Sequence, residues 1–185
     1  MRRIPALILL SILLTACVPQ WKLIDESSNR IETEKFSFTA PPGWIQIQLD
    51  NQVVLTVDGP GLQKISVKYL EHEKAFPNLE RKSNPEMLPS ELADLYIAEM
   101  RKSDANGLPS FKLSSNTPLV IDGNEGFQIH ASYTIKNGLK YQHIVSGFTA
   151  EKGITVIEYV APGLHYFDRH QAVYEQLLNG FRQKS

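Results

Sequence analysis

The chain has 185 residues, of which 42% are hydrophobic, and it carries 19 Lys and Arg against 20 Asp and Glu for a net charge of −1. This length suits one domain with its own hydrophobic core. Because there is no excess of basic residues to neutralise phosphates, the composition argues against nucleic acid as a partner. The single cysteine excludes an intrachain disulfide, so the core alone must hold the domain together.

The first 17 residues carry the most informative pattern. A charged start, Arg2 and Arg3, is followed by an apolar run over residues 4–14 and then by Leu14-Thr15-Ala16-Cys17. This order is typical of a secretory signal, and the run is shorter than the ~20 apolar residues that span a bilayer. The segment resembles the bacterial lipoprotein signal, whose final cysteine becomes the acylated N-terminus of the mature protein. The alternative is an ordinary secreted protein with a cysteine at this position by chance.

The resemblance implies where the protein is and how it is held. Residues 1–16 are then the signal peptide, and Cys17 carries a thioether-linked diacylglycerol and an amide-linked acyl chain such as palmitate. More than one acyl chain gives stable anchoring, so the membrane is a partner through Cys17. The next residue is Val18 and not Asp. In the sorting pattern of diderm bacteria this implies an outer-membrane anchor that faces the periplasm, in preference to the inner membrane.

A polar segment without a sustained period follows the cysteine. We therefore predict a lipidated N-terminus and flexible tether over residues 17–34, and a single domain over residues 35–185. The domain begins with short β-like runs over residues 36–39, 45–49, 53–57 and 65–69. The run Ile45-Gln46-Ile47-Gln48-Leu49 alternates apolar and polar residues, which predicts a strand with one buried face. Residues 71–87 form a long surface connection.

The sequence of the second half of the domain predicts a helix, then several strands, then a second helix. Apolar residues recur at helical spacing over residues 88–100, and again over residues 166–181. Between the helices lie predicted strands over residues 111–115, 119–121, 127–135, 141–149 and 154–161. Asn137-Gly138 is a strong hairpin signal between two of them. Strands joined by hairpins give an antiparallel sheet that helices must cover, so the predicted fold class is α+β.

Short motifs across the domain resemble the PsbP-like family. They are Phe36-Ser37-Phe38 leading into Pro42-Gly43-Trp44, a strand ending Tyr159-Val160-Ala161-Pro162, and a last helix finishing in Phe181-Arg182. The family includes the extrinsic P subunit of photosystem II, a Ran-binding nuclear import factor and many small bacterial lipoproteins. The resemblance implies an antiparallel sheet sandwiched between helices. It implies no activity, because members of this fold do unrelated things.

Five histidines raise the question of a metal or acid–base site. The helix that follows His165 lacks the His-Glu-x-x-His spacing of a zincin, and His72 between two glutamates is poorly specific. His130 and His143 lie on either side of the Asn137-Gly138 turn, and a register centred on that turn makes them diagonal neighbours that could share a face. Neither a Gly-x-Ser-x-Gly elbow nor a phosphate-binding loop is present. We predict no catalytic residue, no metal site and no cofactor.

Aromatic residues offer the best binding candidates. Trp44 follows a Pro-Pro-Gly break, and Tyr166 with His165 lies in the turn before the last helix. If these side chains are exposed together, they are suited to anchor a partner. We expect that partner to dock near residues 71–87 and the turn at residues 164–167, because loops on rigid scaffolds are favoured binding sites.

The sequence thus predicts a membrane-anchored, non-catalytic lipoprotein that binds a protein or an envelope component in the periplasm. One alternative is an enzyme that acts on an envelope substrate with an unrecognised site near residues 71–87 or His165 and Asp168. The other alternative is a structural subunit of an envelope complex. A deep pocket with convergent His, Asp and Glu would favour the enzyme, and a flat apolar surface would favour binding.

Overall fold

A computed structural model describes residues 20–102 and 110–184. These residues form eleven strands and two α-helices. In chain order the strands are β1 (Lys22–Leu23), β2 (Arg30–Glu32), β3 (Phe36–Thr39), β4 (Ile45–Leu49), β5 (Gln52–Thr56), β6 (Lys64–Glu71), β7 (Lys112–Ile121), β8 (Asn124–Thr134), β9 (Lys140–Ala150), β10 (Gly153–Pro162) and β11 (Arg182–Gln183). The helices are α1 (Pro89–Lys102) and α2 (Tyr166–Gly180), and a short 3₁₀ turn spans His72–Lys74. Within the described ranges, neither helix is both long enough and apolar enough to cross a membrane.

Eight of the strands form one antiparallel sheet in the order β1-β4-β5-β6-β10-β9-β8-β7, and β11-β3-β2 form a small second sheet. Helix α1 packs on one face of the large sheet, and α2 packs on the other face together with the small sheet. Hairpins join most neighbouring strands, which is why the pairing is antiparallel throughout. This arrangement confirms the predicted α+β class.

The two faces of the sheet bury separate cores because side chains alternate along each strand. Ile157 and Tyr159 of β10 point to the α2 side, and Ile154 and Val156 point to the α1 side. The α2-side core is large and aromatic, with Phe36, Phe38, Phe148, Tyr174 and Phe181. Among the described residues, the fully buried strand residues of the α1-side core come from β8, β9 and β10, and Leu70 of β6 is partly buried against them. Helix α1 therefore covers only one part of its face.

The strand β4 lies where its sequence predicts it, but the prediction of a buried apolar face is wrong. Ile45 and Ile47 are only half-buried, and Leu49 is 39% exposed. Through the register with Val54 of β5, these side chains belong to the α1 side of the sheet. They lie beyond the strands that α1 covers, so the alternating pattern has no described element packed on it.

Much of the predicted tether is part of the fold. Ile24 and Ile31 are 1% and 3% exposed, β1 pairs with β4, and β2 pairs with β3. The backbone N–H of Ile24 also donates to the carbonyl of Trp44 at 2.8 Å. The predicted boundary at residue 34 is therefore too late over the described residues. Strands of two or three residues carry too little periodicity to be read from sequence.

Two further differences lie in the second half of the chain. The strands predicted over residues 111–115 and 119–121 form one strand, β7, which runs through Pro118. The sheet can accommodate this proline because β7 is an edge strand, in which alternate N–H groups point away from the partner strand. The hairpin between β8 and β9 has a three-residue loop in which the backbone N–H of Ile135 donates to the carbonyl of Leu139, and Gly138 takes a φ of 85°.

That loop is one residue longer than the predicted Asn137-Gly138 turn, and it changes the register. His130 pairs with Ile144, and His143 pairs with Ala131. Residues opposite each other share a face, so His130 and His143 point to opposite faces of the sheet. The hypothesis of a histidine pair on one face is therefore wrong. The predicted register failed because the loop has one residue more than predicted.

Each helix seals a different core, so truncating one leucine on each tests both contacts. Leu92 of α1 and Leu177 of α2 are each 1% exposed. We expect Leu92→Ala and Leu177→Ala each to lower the free energy of unfolding by about 2–5 kcal/mol, because each leaves a cavity. Leu164→Ala is the matched control, since Leu164 is 84% exposed. Urea unfolding measures the three values. Stability close to that of the native protein for either buried variant would contradict the packing described above.

Candidate functional site

A charged residue lies in the middle of the most buried strand. Glu158 is 7% exposed on β10, and its side chain points to the α1 side of the sheet. One carboxylate oxygen, Oε1, accepts a hydrogen bond from the Tyr96 hydroxyl of α1. The other, Oε2, accepts a hydrogen bond from Ser66 at 2.9 Å and forms an ion pair with Lys68 of β6. Two strands and a helix therefore meet at this carboxylate.

The surroundings keep Glu158 ionised. Burial alone raises the pKa of a carboxyl, but the Lys68 ammonium and the hydrogen bonds from Lys68 and Tyr96 outweigh it and hold the pKa of Glu158 well below its usual range. Burial, together with the neighbouring Glu158 carboxylate, raises the pKa of the Tyr96 hydroxyl. Tyr96 therefore stays protonated and remains a donor. At neutral pH the cluster is a satisfied ion pair with two hydroxyl donors.

His143 of β9 lies beside this cluster without joining it. Its Nε2 is 3.8 Å from Oε1 of Glu158, beyond hydrogen-bond distance. Both ring nitrogens are buried and have no hydrogen-bond partner in the part of the chain that the structure describes. Burial lowers the pKa of His143 from 6.5 to about 4, against the smaller opposite effect of Glu158. His143 is therefore neutral at pH 7, with one unpaired donor and one unpaired acceptor.

These groups line a cleft of about 410 Å³ between α1, the segment after the 3₁₀ turn and the sheet. This volume lies within the usual range of small-molecule sites. Its charged groups are balanced, because Lys68 faces Glu158 and Lys74 and Glu99 carry opposite charges. The lining includes Gln52, Lys68, Tyr96, Met100, His143 and Glu158.

The arrangement favours binding over acid–base catalysis. Both oxygens of Glu158 accept hydrogen bonds or an ion pair, so this carboxylate has neither the pKa nor a free position to take a proton near neutral pH. No hydroxyl or thiol of the described residues lies at hydrogen-bond distance from His143 for it to activate. In residues 20–102 and 110–184 no group of three or more His, Cys, Asp or Glu could hold a metal ion.

The sequence suggests Trp44, His165 and Tyr166 as one exposed binding surface. The structure does not place all three together at the surface. Trp44 is 5% exposed and packs edge-on against His170 at 5.3 Å, so its ring does not face solvent. His165 is exposed with a φ of 77°, and its ring contacts Tyr166 at 5.2 Å. Tyr166 is half-buried against the α2-side core. A partner contact at His165 and Tyr166 stays a prediction, and Trp44 does not contribute to such a surface.

The two loops predicted to dock one partner lie at opposite ends of β10. The 3₁₀ turn follows Glu71, which pairs with Gly153 at the start of β10, and the turn at residues 164–167 follows its end at Pro162. A strand of this length spans about 33 Å. One small docking site cannot include both segments. His72, in the first segment, bonds to Ser83 and to the carbonyl of Ala150, so its two nitrogens already hold the loop.

Sequence reasoning missed Glu158, Lys68 and His143 as a group, and the predicted lipidation site Cys17 lies outside the described residues. One signal was available: Glu158 is the only charged residue in the run Ile154-Thr155-Val156-Ile157-Glu158-Tyr159-Val160. A lone carboxylate in a strand that reads as fully buried must have a partner. Its partner Lys68 is 90 positions earlier, which no local pattern reveals.

No protein family profile and no curated protein matches the sequence. Solved structures do match the fold. The cyanobacterial PsbP, CyanoP, from Synechocystis sp. PCC 6803 superposes with a TM-score of 0.54 at 14% identity, over 92% of this chain and 95% of that chain. The Ran-binding protein Mog1p of Saccharomyces cerevisiae superposes with a TM-score of 0.53 at 13% identity, over 89% and 96%.

Likeness at this level of identity concerns the fold alone. CyanoP and Mog1p match almost the whole of this chain as well as of their own chains. The resemblance read from Phe36-Ser37-Phe38, Pro42-Gly43-Trp44 and the last helix is therefore confirmed as a resemblance of structure. The chain has the PsbP-like fold, an antiparallel sheet between helices.

Proposed function

We propose that this protein is a lipid-anchored, non-catalytic binding protein of the bacterial cell envelope, and that the cleft beneath α1 holds a small uncharged polar ligand. The anchor is Cys17, at the end of Leu14-Thr15-Ala16-Cys17, with the domain facing the periplasm from the outer membrane. Mog1p is described as a Ran-binding protein, which supports the use of this fold as a binding module.

The observation that carries the ligand proposal is His143. A buried polar group without a partner destabilises the fold by about 1–3 kcal/mol, and His143 has two such atoms, Nδ1 and Nε2. Because both atoms are buried, a ligand that carries a donor and an acceptor satisfies them once the His143 ring, which lines the cleft, turns towards it. Because Lys68 neutralises Glu158 and His143 is neutral at pH 7, the cleft selects an uncharged molecule. Hydroxyl and amide groups, as on sugars of the envelope, have this chemistry.

A second candidate function, contact with a protein, is favoured by the turn at residues 164–167. Leu164 is 84% exposed, and His165 holds a backbone conformation with positive φ that non-glycine residues rarely adopt. The turn lies at the far end of the sheet from the 3₁₀ turn, so the two sites can be mutated independently. A catalytic role is the weaker reading because the carboxylate of Glu158 is fully engaged.

Removal of the acylated cysteine tests the lipid anchor. Cys17→Ser should block acylation, leave an unprocessed precursor and release or mislocalise the domain, because no acyl chain then holds it to the bilayer. Incorporation of labelled palmitate and partitioning into detergent phase measure the two steps. Retention of the variant in the membrane fraction to the native extent would contradict the anchor.

The pH dependence of stability tests the state of His143. Its pKa is about 4 in the fold and near 6.5 when unfolded, so as pH falls the unfolded chain takes up the proton first. The contribution of neutral His143 to the free energy of unfolding is therefore fully present above pH 6.5. It falls by about 3 kcal/mol as the pH is lowered towards 4. We expect His143→Leu to remove this slope and to be at least as stable as the native protein at pH 7. Unfolding curves for both proteins across pH 4.5–7 measure it. An unchanged slope in the variant would show that His143 is not buried as described.

A matched set of sugars tests the ligand class. We expect N-acetylglucosamine, which is uncharged, to shift the amide resonances of residues around His143, and expect cationic glucosamine and anionic glucuronate to bind at least tenfold more weakly. His143→Leu should lose binding, because it offers neither donor nor acceptor, whereas Lys82→Ala on the surface should keep it. NMR titration of the isotope-labelled protein gives the three dissociation constants. Equal affinity for all three sugars, or no saturable shift at the cleft, would contradict the proposal.

A further inference from the structure

The sheet carries an apolar surface that no described element covers. It lies on the α1 side, at the end of the sheet opposite to β7. Leu23 is 67% exposed, Leu49 is 39% exposed and Trp21 is 37% exposed, while three more side chains are half-buried. We name this surface the aliphatic patch, and it comprises Trp21, Leu23, Ile45, Ile47, Leu49 and Val54.

Strand register makes the patch continuous. Leu23 of β1 lies opposite Ile45 of β4, and Ile47 lies opposite Val54 of β5. Opposed residues share a face, with their Cβ atoms about 5 Å apart. The two-residue period of extended chain places Trp21 on the same side as Leu23. Contiguous exposed apolar surface of this kind marks a site of contact with a protein or a membrane.

The short distance between the lipid attachment and the patch favours a membrane, and not a protein, as the contact. This step rests on the acylation of Cys17 in the proposed function. Four residue steps separate Cys17 from Trp21, and an extended chain spans at most about 3.6 Å per residue, so Trp21 lies within ~14 Å of the acylated residue. The polar headgroup layer is only about 5–7 Å thick on each side of the bilayer. Because β1 is part of the sheet, the short linker holds the patch itself at the membrane surface.

The composition of the patch fits a lipid interface. Trp21 has the amphipathic ring that is enriched where hydrocarbon meets water, and the other members are aliphatic. The charged residues next to it in the sequence have both signs, with Lys22 against Asp25, Glu26 and Asp50. Contact would therefore depend on apolar burial and not on attraction to anionic lipid. We propose that the aliphatic patch rests on the phospholipid bilayer as a second membrane contact beside the lipid anchor.

This contact fixes how the domain faces the membrane. Gln52 lies opposite Leu49 at the margin of the patch and also lines the cleft, as does its other neighbour Lys68. The cleft and the patch thus share one face of the sheet. The bilayer contact places the mouth of the cleft near the headgroups, whereas the turn at residues 164–167 stays on the other side of the sheet with α2.

Depth-dependent quenching of tryptophan fluorescence tests the proposal on the full lipidated protein. The protein is reconstituted into vesicles of phosphatidylcholine with brominated acyl chains, with and without added phosphatidylglycerol. Trp44 is 5% exposed in the α2-side core, so we expect quenching from Trp21 alone. The native protein should lose at least a third of its emission, and Trp21→Phe should lose almost none. Phosphatidylglycerol and salt should leave the quenching unchanged. Equal quenching of the two proteins would overturn the proposal.

Surface variants confirm which face is in contact. Leu23→Ser with Leu49→Ser should lower the quenching of Trp21 by at least half, with a thermal melt that matches the native protein because both positions are exposed. Leu113→Ser, 40% exposed on β7 at the other edge, should have no effect. A loss with Leu113→Ser as large as with the double variant would also overturn the proposal.

The mass of the intact protein separates this failure from failure of the anchor. If Cys17 carries no acyl chain, the proposed function is wrong. If Cys17 is acylated and Trp21 is not quenched by lipid, only the patch proposal is wrong. Protection of Trp21 in whole envelopes but not in pure lipid vesicles would identify a protein as the occupant in place of the bilayer, and would equally overturn it.

Discussion

One helix of 14 residues, helped only by the segment that buries Ala75 and Phe76, must cover one face of an eight-stranded sheet. The sheet is about 34 Å wide, since neighbouring strands are ~4.8 Å apart, whereas a helix with its side chains is only about 10–12 Å across. The opposite face avoids this shortage because α2 shares it with the three-stranded sheet. On the α1 side the shortage has three results. Parts of β8, β9 and β10 form an apolar core under α1. The Glu158–Lys68 ion pair and the cleft lie at the margin of α1, between β10 and β6. The strands farthest from α1 expose aliphatic side chains.

The middle region shows how a polar cluster can replace a missing layer. Removing a carboxylate from water costs several kcal/mol unless charge and hydrogen bonds replace the solvent. Glu158 obtains both from Lys68, Ser66 and Tyr96, and Tyr96 thereby ties α1 to the sheet. His143 has no hydrogen-bond partner among the described residues. Glu158 thus has three partners, whereas its neighbour His143 has no hydrogen bond within the same part of the chain. The fold therefore places an unfavourable, unpaired polar group at the wall of the cleft. Such a cost is typical of binding sites, where stability is exchanged for function.

Local sequence patterns were sufficient to predict where most strands and helices lie. They were not sufficient to predict how these elements pack and pair with one another. The strand at Ile45–Leu49 and the helix that contains Leu92 follow from alternation and helical spacing. The same alternation could not show that α1 stops short of β4, because coverage depends on the width of the whole sheet. The register of His130 and His143 failed on one loop residue, and a one-residue slip reverses every face. β1 was missed because two residues have no measurable period, and the pairing of Glu158 with Lys68 joins strands that are distant in sequence.

The same reasoning separates what the fold explains from what this chain adds. CyanoP and Mog1p have the fold at 14% and 13% identity, so the arrangement of the sheet and helices needs few shared residues. A scaffold that tolerates such divergence carries no function of its own. The features that point to a ligand or a lipid surface, His143 and the patch beginning at Trp21, all lie on the face that α1 leaves open. Because the side chains of the aliphatic patch do not fill a core, substitutions in the patch need not disturb the α2-side packing.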